Sequence, residues 1–300
     1  MGGAGRNLGV DTGAPWRNTA APAGSDLYYG TLFCPPAVRD AIRCLHAFAR
    51  EMKQIPRTIT DPGVARIKLA WWREEVSRLE QRTPAHPITV TLAASPYPMA
   101  GDADHIRSLH DMIEVREAEL TMSARTDYNQ VIADCRRSHG ALWQLCAAAA
   151  GGDPDTTRAA ETIGCAFGIH EILHDLHADL PAGRFRLPTR ELERHGVRPD
   201  SLPALPAETL HAISTHAAGQ IRQLVLEGIA ALPRSHRPTQ LALLTMTELM
   251  VRQLDEEQAD GFRYLERRVM LTPLRKLWIA VRTRRRERRL ARHHGGKSPA

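Results

Sequence analysis

From Pro35 to Ile55 apolar residues return every three or four positions, at Val38, Ile42, Leu45, Phe48, Met52 and Ile55, which is the stripe of an amphipathic helix. Pro36 stands near its start, where a missing N–H costs little, and Pro56 is expected to stop it by clashing with the carbonyl of Met52. Asp61 followed by Pro62 marks the next N-terminus, and Leu69, Trp72, Val76 and Leu79 give that helix its apolar stripe. The same period predicts a short helix at 88–94, a longer one through Ile106, Leu109, Ile113 and Leu120, and another over 127–150. Gly151-Gly152 breaks the chain, Asp153-Pro154 restarts it, and the helix that follows is expected to run to Leu180. A turn over 181–188 leads through a short helix into two long ones, 207–232 and 238–270. Alternating Val/Ile/Thr runs are almost absent, so the expected class is all-α.

The chain has 300 residues, 43% of them hydrophobic, enough to bury a large core unaided. No repeat and no long linker interrupts it, so one domain is expected over 25–281, with a disordered leader at 1–24 and a basic, disordered tail at 282–300. The five cysteines form no C-x-x-C pair, which argues against a zinc site or a disulfide framework and fits a reducing, cytoplasmic setting. The net charge of +6 is uneven: residues 275–300 hold ten basic side chains against the single acid Glu287, leaving the preceding chain slightly acidic. That distribution, without aromatic residues among the arginines to stack on bases, excludes nucleic acid as the expected partner. Leu271, Leu274, Leu277, Trp278 and Val281 followed by seven arginines suit either an anionic membrane surface, reached from its inner face, or a final helix packed by its Leu/Trp face. The most apolar stretches fall short of the ~20 residues that cross a bilayer.

Candidate chemistry lies in 164–179. At about 100° per residue, Gly164, Gly168, Glu171, Asp175 and Asp179 share one narrow face, an acidic stripe with room left beside it by the two glycines. Carboxylates one turn apart can share Mg²⁺, which in turn holds a diphosphate; the plainer alternative is the wet side of an ordinary helix. His170, His174 and His177 lie on a separate flank, and without an H-E-x-x-H motif they read as surface or ion-paired histidines.

The segment Glu171-Ile-Leu-His-Asp175-Leu-His-Ala-Asp179, with Gly183-Arg184-Phe-Arg-Leu-Pro188 after it, resembles the second aspartate-rich motif and following turn of the squalene/phytoene synthase family. Tyr28-Tyr29, Leu45-His-Ala-Phe48-Ala-Arg50-Glu51 and Leu69-Ala-Trp71-Trp72-Arg-Glu-Glu-Val76 extend the resemblance, as does the region from Phe262 to Leu277. It implies an isoprenoid-synthase-type helical bundle around a central cavity, in which two aspartate motifs hold Mg²⁺ and the diphosphates of two allylic substrates. Asp175 and Asp179 match the second motif. Gly168, Glu171 and His174 stand where the family usually has Gln, Asn and Arg.

The family's first motif, of the form D-D-x-x-D, aligns with Lys53-Gln54-Ile55-Pro56-Arg57, so basic groups stand where Mg²⁺ ligands are expected. Loss of these aspartates resembles the branch that contains the mitochondrial complex I assembly factor, regarded as assembly or scaffold proteins. The resemblance thus implies a non-catalytic protein with an assembly or interaction role, with a protein partner and with no assigned catalytic residue. The alternative is a divergent Mg²⁺-dependent prenyltransferase. Residual metal ligands would be Asp175, Asp179 and Glu171; groups for an isoprenyl diphosphate or lipid-like anion would be Lys53, Arg57, Arg50 and Arg184. Lys53 and Arg57 either pair with the acidic stripe or grip the anion directly. A non-catalytic protein is expected to have a cavity collapsed or closed by such pairs, and an enzyme an open one.

Overall fold

The computed structural model describes residues 20–97, 99, 101–121, 125–182, 184–197 and 205–295, with side chains to 292. Among them the regular structure is helical. A short α1 (Asp26–Gly30) precedes the amphipathic α2 (Pro36–Thr58). Then come α3 (Pro62–Glu80), α4 (Pro87–Ala93), α5 (Ala103–Glu119) and α6 (Tyr128–Cys135). A π-turn, Arg136–Gly140, leads into α7 (Ala141–Ala149), and α8 (Pro154–Asp179) follows the Gly-Gly break. The remaining helices are α9 (Thr189–Arg194), α10 (Ala207–Ala231), α11 (Leu241–Ala259) and α12 (Pro273–Gly295).

Local chemistry sets several of these starts. Asp61 accepts from the Gly63 N–H at 2.7 Å, and Asp153 from Thr156 N–H at 2.8 Å, which satisfies N–H groups that lack intrahelical partners. Glu75, fully buried, accepts from the Ala85 and His86 N–H groups at 2.8 Å each and ties α3 to the start of α4. The core forms two main clusters. One gathers Leu45, Phe48, Trp72, Leu109 and Trp143 from α2, α3, α5 and α7; the other gathers Ile169, Leu173, Ile213, Ile221 and Leu254 from α8, α10 and α11. Between them runs α8, packed on α10 and on α7 with the π-turn.

Four expectations need correction. Pro56 does not stop α2, which continues to Thr58 with the Ile59 N–H bonded to Ile55 O. A proline in the last turn forfeits one hydrogen bond, and the turn survives to carry Arg57. The helix expected over 238–270 ends at Ala259, because Gly261 (φ +77°) and Phe262 (φ +54°) take left-handed backbone and turn the chain. The glycines of α8 do not leave room. A Cβ on Gly164 would stand 2.7 Å from Gly140 Cα, and one on Gly168 would stand 2.7 Å from Cys135 Sγ, so they admit the π-turn and α6 at close range.

The fourth correction concerns the ends of the domain. Residues 282–295, expected as a disordered tail, continue α12, with Thr283 and Glu287 each 2% exposed and Arg237 pairing Glu287 at 2.9 Å. This helix packs by Ile279, Ala280 and Thr283, leaving Leu274 and Trp278 outward, against the alternative of a helix packed by its Leu/Trp face. At the other end Ala21 is buried in the core, so the body begins before residue 25; residues 1–19 and 296–300 lie outside the described residues.

Candidate functional site

The acidic stripe of α8 faces the C-terminal end of α2 across the molecule's interior. It is not a wet helix face: Asp175 is 7% and Asp179 2% exposed. Lys53 Nζ lies 2.9 Å from Glu171 Oε2 and 3.1 Å from Asp175 Oδ2. Arg57, one turn on, places Nη2 2.7 Å from Asp175 Oδ2 and 3.5 Å from Asp179 Oδ2. From the turn after α8, Arg184 donates from Nε to Asp179 Oδ1 at 3.1 Å, while Arg186 donates to Asp175 Oδ2 at 2.6 Å and to Asp179 Oδ2 at 2.8 Å.

Three carboxylates therefore meet four permanent cations. His139, carried by the π-turn, brings Nε2 to 3.2 Å from Glu171 Oε1, an electrostatic contact off the hydrogen-bonding line. Burial alone would raise the carboxyl pKa values. Against it, His139, Lys53 and Arg116 hold Glu171 well below the ordinary range, and Lys53, Arg186 and Arg57 hold Asp175 down. Arg186 is itself mostly shielded from solvent, yet Asp179, Glu119 and Asp175 keep it firmly charged.

A cavity of about 830 Å³ opens beside this cluster, walled by Met112, Leu142, Trp143, Phe167, Met246 and Met250. Lys53, Arg57, Glu171, Asp175 and Arg184 form its polar end, and Arg50 lines it as well. A second cavity of about 310 Å³ shares Arg57, Arg116, His139 and Arg184 with the first. The ion cluster is thus a partition between two spaces. The expectation of pairs that close or collapse the cavity meets a mixed result: the pairs form, and the cavity is open.

All seven residues singled out from the sequence border this region. Sequence reasoning missed Arg186, although it lies in the turn already quoted, because nothing in the spacing tells Arg184 from Arg186. It also missed His139, whose direction depends on the π-turn, and Glu257 on α11. Glu257, 2% exposed, lies 3.2 Å from His170 Nε2 by Oε2 and pairs with His174 by Oε1.

The profile of the family described as squalene/phytoene synthase matches residues 20–275, nearly the whole described body. The chain belongs to the squalene/phytoene synthase family. A phytoene synthase of Mycobacterium tuberculosis is 26% identical over 264 residues, covering 86% of each chain. A phytoene synthase of Thermus thermophilus is 31% identical over 139 residues, 46% of this chain and 47% of its own. Among solved structures, a dehydrosqualene synthase in complex with ligand superposes with a TM-score of 0.74 at 16% identity, covering 88% of this chain and 92% of its own. The squalene synthase HpnC from Alicyclobacillus acidocaldarius gives 0.66 at 19%, covering 82% and 93%. At those identities the structures establish the shared all-α fold of squalene/phytoene synthases. No helix among the described residues is long and apolar enough to cross a membrane.

Proposed function

We propose that this squalene/phytoene synthase relative is a non-catalytic binder of an isoprenyl diphosphate or similar amphipathic anion, serving an assembly or interaction role at a membrane-associated complex. The observation that carries the reading is the pairing of all three carboxylates of the acidic stripe with Lys53, Arg57, Arg184 and Arg186. The donor set does not fit Mg²⁺. Hard cations need several free oxygens, whereas Asp175 Oδ2 already faces three cationic groups and the cluster carries excess positive charge. The same excess suits an anionic head group held by protein alone, with its tail along Trp143 and Phe167. The assembly role rests on the resemblance to the branch that has lost its aspartates. The exposed Leu274 and Trp278 beside the arginines of α12 support a membrane surface as partner.

A second reading, a divergent Mg²⁺-dependent prenyltransferase, is favoured by the open apolar-walled cavity and by phytoene synthases as relatives. One assay separates the two. Farnesyl or geranylgeranyl diphosphate is incubated with the protein and Mg²⁺, and released diphosphate is measured. We expect release no faster than the blank, while a non-hydrolysable farnesyl thiodiphosphate binds in EDTA and weakens with added salt. Mg²⁺-dependent release that Asp175→Ala abolishes overturns the non-catalytic reading.

A further inference from the structure

The acidic stripe is one polar face of α8; its histidine flank forms another. His170 and His174, one turn apart, direct both Nε2 atoms at the same partner, the buried Glu257 of α11. The donor atoms of the three residues lie within 4.8 Å of one another. Glu257 is fixed from behind: Tyr264 OH donates to Oε2 at 2.8 Å and Gln253 Nε2 to Oε1 at 2.9 Å. Gln253 is in turn held by the backbone, accepting from Leu271 N–H at 3.0 Å and donating to Val269 O at 2.5 Å. Such outer partners orient carboxylate ligands in metal sites.

Two imidazole nitrogens and one carboxylate are the donor set of three-ligand zinc sites that keep a fourth position open. With metal–donor bonds of about 2.0–2.1 Å, tetrahedral ligands stand roughly 3.3 Å apart. The His170–Glu257 separation of 3.2 Å already matches that spacing, and His174 meets the other oxygen of the same carboxylate. Both histidines line the large cavity, whereas Glu257 sits behind them. Imidazole favours borderline ions over Mg²⁺, which prefers oxygen, so this site selects a different metal from the one the aspartate motif implies.

We propose that His170, His174 and Glu257 bind one divalent ion of the zinc class, with the fourth coordination position turned toward the cavity. The inference stands apart from the question of prenyl transfer, because its readout is metal binding. The full chain, stripped with a chelator and returned to chelator-free buffer, is titrated with Zn²⁺ by calorimetry and with Co²⁺ by visible absorption. The expected result is one tight equivalent of Zn²⁺, resistant to excess Mg²⁺, and the intense d–d bands of four-coordinate Co²⁺. The double variant His170→Asn/His174→Asn loses that equivalent, and Tyr264→Phe weakens it about ten- to a hundredfold. The comparison with the double variant is needed because the chain has 14 histidines. Equal Zn²⁺ binding by wild type and double variant overturns the site. So does a wild-type Co²⁺ spectrum no stronger than that of the hydrated ion, a measurement that holds even if the double variant fails to fold; the histidines would then serve only as counter-ions to Glu257.

Discussion

Asp175 Oδ2 takes Lys53, Arg57 and Arg186 within 3.1 Å, and none of the four side chains is more than 21% exposed. Removing the anion from such a group leaves buried cations facing one another, a loss of about 3–5 kcal/mol. Asp175→Asn should therefore lower the urea-unfolding free energy by that order. In a carboxylate cluster built for metal, the same substitution relieves repulsion among acids and leaves the metal-free protein as stable or more so. A stable Asp175→Asn protein would thus contradict the structural weight given to these pairs. The residue scale also shows what a one-dimensional pattern omits. Glu171, Asp175 and Asp179 were readable as one face from their spacing, but their burial was not, since wet and buried acidic faces share a period.

At the scale of elements, α12 joins two properties along one line. At 100° per residue Leu274 and Trp278 precede Arg285, Arg289 and Arg292 on the outward face, and all five are exposed. Arg282 lies over the Trp278 ring at 5.1 Å, which keeps a cation beside the apolar group. Each cation near an anionic surface contributes about 1 kcal/mol, and Leu274 and Trp278 add apolar insertion. The protein should co-sediment with phosphatidylglycerol vesicles at low salt, and Leu274→Ala/Trp278→Ala should release it while the circular dichroism stays unchanged. Failure of the wild type to sediment with anionic vesicles would remove the membrane from its partners, and equal sedimentation of wild type and variant would take Leu274 and Trp278 out of that contact. The periodicity of 271–281 was legible as helix, and which side faces inward was not. Ile279, Ala280 and Thr283 pack against the body, and the positions of α11 and α1 select that side.

For the molecule as a whole, acid should act in two stages. Burial, with His139 second, pushes His46 down from 6.5 to about 4, so the native state prefers its neutral ring. The stability this gives is present above pH 6.5 and is lost as pH falls toward 4. Glu171, Asp175 and Glu257 have native values lowered from ordinary values of 4.5, 3.8 and 4.5. Their contribution is present above those ordinary values and is lost as pH falls below them toward the lowered native ones. Urea midpoints measured from pH 7 to 3 should fall first over the His46 range and then more steeply, with His46→Gln flattening the first stage. A midpoint constant down to pH 4 would show that His46 is not held neutral.

Local, repeating signals were enough to give the all-helical class, the caps at Asp61 and Asp153 and the helix that carries the acidic stripe, because helix period and capping depend on residues a few positions apart. Replacement of the first-motif carboxylates by Lys53 and Arg57 was likewise visible in the order of residues alone. Tertiary structure decided the rest. Lys53 meets Glu171 across 118 positions and His170 meets Glu257 across 87, separations over which no periodicity carries information. The π-turn that aims His139, the late turn of α2 that survives Pro56, and the open space beside a paired cluster all follow from how helices pack, which fixes the charges a buried group must face.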